Sequence, residues 1–183
     1  MNPGTLTPKD MGTVLGMSLL EGRDIEALHE TEVSLISGAG IPQSEYVIER
    51  FVLSACAAAH AAGAYLDASD RKLTAAGFME WFQNGASSYA AFRAAYDTFL
   101  KRLPIYSAAA NQDQAAGTQS TAAITFSGLS LAFGDALFAK ARQAADAEGL
   151  CRVLASAVAD AQWSAQIESS LQLFKRAGFK RDA

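Results

Sequence analysis

The sequence predicts an all-α fold, a single-domain bundle of about six or seven helices that ends in a helical hairpin. Three observations carry this. Half of the 183 residues are apolar, and proline occurs only four times; the apolar excess is mostly alanine, the best helix former. Apolar residues recur at steps of three and four along most of the chain. Runs rich in Val, Ile, Thr and Tyr, which strands need, are missing; the nearest, Thr121 to Phe126, is short and contains alanine. A chain of this length is one ordinary domain, with room for a real core, over residues 1–183.

Each element follows from local signals. Thr7-Pro8 starts the first helix, a hydroxyl cap before a proline whose missing N–H costs nothing there, and Gly22 ends it. A second helix runs from Asp24 to about Ile36, with Leu28, Val33 and Ile36 turned inward. Ser37-Gly38-Ala39-Gly40 with Ile41-Pro42 is a break. Ser44 caps a long third helix to about Leu66, whose apolar face is Val47, Ile48, Phe51, Val52, Ala55, Ala59 and Ala62. Ala55, Ala59 and Gly63 form a ridge of small residues that would let a neighbour approach closely.

Ser69 caps the next helix, with Asp70 in its first turn. Its seam reads Phe78, Phe82, Gly85, Tyr89, Phe92, Tyr96, Phe99 and Leu103, at alternating steps of four and three. Asn84-Gly85 before Ser87-Ser88 divides residues 70–103 into two helices, while the unbroken phase argues for one; the division is the favoured reading. Lys101 and Arg102 mark an end before Pro104. Residues 107–121 are low in complexity and read as a flexible connection inside the domain. The terminal hairpin has a first arm from about Ala122 to Ala147, with Phe126, Leu129, Phe133, Leu137 and Ala141 inward. Gly149 breaks it from a second arm, Leu150 to Ala177. The inward face of that arm reads Leu150, Val153, Ala157, Ala161, Ser164, Ile167, Leu171 and Phe174, and Gly178 closes the helix.

Charge and cysteine usage narrow the function classes. Only 19% of residues are charged and the net charge is −4, which argues against a general nucleic-acid binder. The basic cluster Lys175, Arg176, Lys180 and Arg181 complements a helix C-terminus. Cys56 and Cys151 lie within apolar helical patterns and read as buried free thiols of a cytoplasmic protein. No stretch reads as a secretion signal or a membrane span.

Candidate chemistry is sparse. Glu26 and His29 are three apart, the spacing with which helical bundles present metal ligands, and Glu30 follows; Glu45, Glu49 and His60 could add to them. A second Glu-x-x-His is missing, because Ala57 stands three residues before His60. Glu49, Cys56, His60 and Asp67 share a stripe on the third helix, with Cys56 and His60 at a ligand-like spacing of four, but no Cys-x-x-Cys completes a set. Both patterns read more simply as solvated or packed faces, so no cofactor is assigned. Trp81, Phe92 and Tyr96 are candidate linings for an apolar pocket between helices. No phosphate-cradling loop or nucleophile elbow is present. The expectation is a non-enzymatic interaction module that forms a homo-oligomer, most simply a dimer, or meets a protein partner. The alternatives are a small-ligand binder with a pocket between helices and, after that, a metal-dependent enzyme.

Overall fold

The computed structural model describes residues 6–20, 28–116, 126–142 and 144–179. Seven helices follow one another: α1 (Pro8–Ser18), α2 (Glu30–Gly38), α3 (Gln43–Tyr65), α4 (Ala68–Ser88), α5 (Ala90–Ala116), α6 (Gly128–Phe138) and α7 (Ala147–Arg176). No strand occurs among the described residues. The chain is an all-α bundle, and α6 and α7 pack on one another as its C-terminal hairpin.

α3 is the centre. Every residue from Phe51 to Ala58 is buried, because α5 and α7 both pack along this helix and α4 also touches it. α3 is also the one helix among the described residues long and apolar enough to cross a membrane, and 61% of that window is buried inside the bundle. Polar links fix its neighbours. The Gln162 amide of α7 donates to the Arg50 carbonyl at 2.8 Å and to Ser54 Oγ at 2.7 Å. The Tyr46 hydroxyl donates to Glu32 Oε1 of α2 at 2.6 Å.

Caps follow the residues present, not always those expected. Thr7 caps α1 in a reciprocal box with Asp10. α2 starts later than the sequence suggests, at Glu30, because His29 accepts from the Thr31 N–H and Glu32 reaches back to the His29 N–H. Asp24 lies outside the described residues. Of the predicted inward side chains of α2, Ile36 is buried, Leu28 is partly so and Val33 is exposed. Ser44 does not cap α3: the cap position is Pro42, two residues earlier, and the helix begins at Gln43. Asp67, not Ser69, caps α4, its carboxylate accepting from the backbone N–H groups of Ser69 and Asp70, both at 2.9 Å.

The division of residues 70–103 into two helices holds, but it falls at Tyr89, four residues beyond Gly85, where the backbone turns extended. Tyr89 is consequently exposed rather than part of the seam, whereas Phe78, Phe82 and Phe99 are fully buried. α5 does not end before Pro104. It continues to Ala116 and takes in residues 107–116 of the low-complexity segment; residues 117–121 lie outside the described residues. The extension has a use, since the Asp113 carboxylate accepts from the Gly128 and Leu129 N–H groups at 2.7 and 3.0 Å and so caps α6.

In the hairpin, Leu129, Phe133 and Leu137 face inward as predicted. The first arm is shorter than expected, and Gly149 lies within the first turn of α7 instead of breaking the chain. Gly178 closes α7 at a φ of +82°. The phase of α7 differs most. Its buried residues are Ala147, Cys151, Leu154, Ala155, Ala159, Trp163, Gln166, Ser170 and Phe174. Of the predicted inward face only Phe174 is buried; Val153, Ala157, Ala161 and Ser164 are exposed.

Candidate functional site

The predicted site residues do not assemble into one centre. Glu26 lies outside the described residues. His29 is the exposed cap of α2 and stands at the rim of a groove between α2, α3 and α7, away from Glu49. Glu45 pairs with Lys140 at 3.0 Å.

Glu49 is fully buried and belongs to an ion pair. Arg102 of α5 donates from Nη2 to Oε1 at 2.9 Å and from Nε to Oε2 at 3.4 Å, and the Tyr106 hydroxyl donates to Oε2 at 3.4 Å. Burial, reinforced by the Glu49 charge, holds the Tyr106 phenol above its ordinary pKa. The same two causes push the neighbouring Cys56 thiol up, so it carries no thiolate at neutral pH. Glu49 is thereby committed to a structural contact between α3 and α5. Asp67 is committed as the cap of α4. Cys56 and Cys151 are both buried and unbridged. Among the described residues no three His, Cys, Asp or Glu side chains converge as a metal would need.

Trp81, Phe92 and Tyr96 pack into an aromatic cluster. Trp81 meets Phe92 edge-on at 5.6 Å, Phe82 meets Tyr96 at 5.4 Å, and Phe51 meets Phe92 at 5.8 Å. Trp81 also lies over Gly16 of α1, where a Cβ would collide with its indole. Trp81 and Phe92, but not Tyr96, also line a surface groove of about 620 Å³.

Two further open surfaces stand out among the described residues. One is a cleft between α3, α4 and α5 that His60 lines. The other is the outer side of α7. Val153, at 51% exposure, lies in line with Ala157, Ala161 and Ser164, with Ala165 beside them. Between Val153 and Ser170 the only charged residues are Asp160 and Glu168. The Asp160 carboxylate accepts from the hydroxyls of Ser127 at 2.8 Å and Ser130 at 3.1 Å, which draws it toward the start of α6. Glu168, the other charge along this side, accepts from the Gln172 side-chain amide at 3.3 Å. Ala157, Ala161 and Ala165 of this stripe also form one wall of the α2–α3–α7 groove of about 600 Å³, together with Leu35, Phe51, Leu154 and Val158.

The sequence contains the outer stripe but assigns it to the wrong side. Alanine marks both sides of α7, and the inner side includes Gln166 and Ser170, whose polarity hides their burial. The partners of Glu49 are 53 and 57 positions away, beyond any local spacing rule. No family model matches the chain. No curated protein and no solved structure matches it either.

Proposed function

We propose that this chain is a non-enzymatic helical module that acts by self-association, with the outer side of α7 as its contact surface. One observation carries the reading: α7 has small apolar residues on two sides, and the described helices bury only one of them. Contiguous exposed apolar surface of this kind marks interaction sites. The small side chains of Ala157, Ala161 and Ser164 let a second helix approach closely. A two-fold axis near Ala161 makes the stripe its own complement. The low overall charge and the commitment of Asp160 to α6 remove the repulsion that would oppose such a contact.

Sedimentation equilibrium at micromolar concentration tests the proposal. The expected mass is twice the 19.3 kDa of one chain. Ala161→Glu, which places a carboxylate on the proposed axis, returns the mass to one chain with the helical circular dichroism unchanged. A wild-type chain that sediments as a single 19.3 kDa species ends the proposal.

A further inference from the structure

The cleft between α3, α4 and α5 has a volume of about 520 Å³, inside the roughly 300–1,000 Å³ typical of small-molecule sites. Its character changes along its length. On α5 the lining passes from Phe99 and Leu103 to Ser107 and Asn111, at steps of four. On α4 it passes from Arg71 and Thr74 to Phe78 and Met79. These two helices are antiparallel, since Phe82 meets Tyr96 at 5.4 Å and Phe78 meets Phe99 at 5.8 Å. One end of the cleft is therefore apolar on both helices, and the other is polar on both. The Arg71 guanidinium donates to the Leu66 carbonyl at 3.1 Å, so the polar end lies beside the last turns of α3. There Gly63 borders the cleft, and a Cβ on it would meet nothing within 4 Å.

His60 lines the cleft one turn before Gly63. Its ring is half-buried and packs against Trp163 at 5.4 Å, and no hydrogen bond reaches it among the described residues. Burial holds its pKa below the ordinary value. The neutral ring then offers one N–H donor and one acceptor nitrogen. Arg71 brings no spare charge to this end. Besides its bond to Leu66 it has a further interaction. Hydrogen bonds from Asp70 and Ser69, and then the charge of Arg71, hold the Asp67 carboxyl below its ordinary pKa. The guanidinium is thus answered by an acid four residues away, outside the cleft, and no carboxylate lines the cleft itself.

We infer that this cleft binds a small uncharged amphipathic molecule, of the class of a medium-chain alcohol, with its hydrocarbon part against Phe78, Phe99 and Leu103 and its hydroxyl at His60. A hydroxyl both donates and accepts, as the neutral imidazole does. A carboxylate head would have to compete with Asp67 for Arg71, and an ammonium head would find no acid in the lining. Burying either charge without a partner costs far more than burying a hydroxyl that is hydrogen-bonded. The lining includes no residue of α7, so the site does not rest on self-association through that helix.

Calorimetric titration of the full chain with octanol, sodium octanoate and octylammonium, all below their aggregation concentrations, tests the inference. Saturable binding of octanol is expected, at least about tenfold tighter than either charged probe. His60→Phe, which keeps a ring against Trp163 and removes both nitrogens, should weaken octanol binding several-fold. Gly63→Leu and Ala75→Leu fill the cleft from α3 and from the exposed side of α4, and each should abolish binding with no fall in the thermal midpoint. Absence of saturable octanol binding, equal or tighter binding of octanoate or octylammonium, unchanged affinity in His60→Phe, or binding that survives both filling variants would each overturn the inference.

Discussion

Glu49 keeps its carboxylate out of water in the middle of α3, and Arg102 reaches both oxygens from α5. Taking away one partner of a buried pair leaves the other charge without compensation. Arg102→Leu should therefore cost on the order of 3–5 kcal/mol in urea unfolding, and replacing both members with leucine should recover most of it. An equal loss in the single and double variants would show that the pair contributes through packing alone. In the sequence Glu49 shares a stripe with Cys56 and His60 and so resembles a ligand; nothing within α3 points to Arg102. The tyrosines supply a pH test. Burial first, then the carboxylate of Glu32 or Glu49, raises the phenols of Tyr46 and Tyr106 above their ordinary value. A group whose folded pKa is raised stabilises the fold below its unfolded pKa, about 10 for tyrosine. That stabilisation is lost as pH rises through the folded pKa, because the unfolded chain releases its protons first. Urea midpoints should fall above about pH 10, and Tyr106→Phe should lessen the fall. A wild-type midpoint that stays level through that range would contradict the assignment.

Helix pairs show how one substitution can have opposite effects in two places. α1 lies against α4 backbone to backbone. A Cβ on Gly12 would collide with the Thr74 carbonyl and one on Gly77 with the Lys9 carbonyl, while the Thr74 hydroxyl donates to the Pro8 carbonyl at 3.0 Å. Gly77→Ala should force the helices apart at a cost of about 1–3 kcal/mol, and proteolysis should then cut first near α1. Gly63→Ala meets open space in the last turn of α3 and should stabilise by up to about 0.5 kcal/mol. The same sign for both would refute the packing described for α1. Helix existence was legible because caps and periodicity are local: Thr7-Pro8 starts α1, Gly178 ends α7, and Phe78, Phe82 and Phe99 all face the core. The course of α5 through Pro104 was not. Proline removes one backbone bond and crowds the preceding turn. Here it lies at the surface beside Leu100 and Ile105, where water can meet the carbonyl left without a donor. The rest of the helix is held by Phe99, Tyr106 and Ala110 in the core. Tertiary contact outweighs local propensity at that point. The cleft was equally hidden, since Gly63 reads as part of a packing ridge until the neighbouring helix is seen to leave it uncovered.

At the scale of the molecule, composition leaves apolar residues on the outside of the described bundle. Half of the residues are apolar and 19% are charged, and α3 at the centre absorbs only part of the excess. The remainder lies outside, on α7 above all, where Ala157, Ala161 and Ser164 form a stripe that no helix of the described chain covers. If a second copy covers it, association and folding are linked and the thermal midpoint must depend on concentration. For two chains unfolding together, a hundredfold rise in concentration changes the free energy per chain by about 1.4 kcal/mol. A chain of this length shifts by roughly 2–4 °C per kcal/mol. The midpoint should therefore rise by about 3–6 °C when concentration is raised a hundredfold. Ala161→Glu should flatten that dependence. Its circular dichroism should remain helical, because Ala161 is exposed on a wall of the groove between α2, α3 and α7 and is not one of the buried residues of this helix. A wild-type midpoint constant across that range removes the link between this stripe and a second copy, and leaves α7 as a helix whose outer side meets only water.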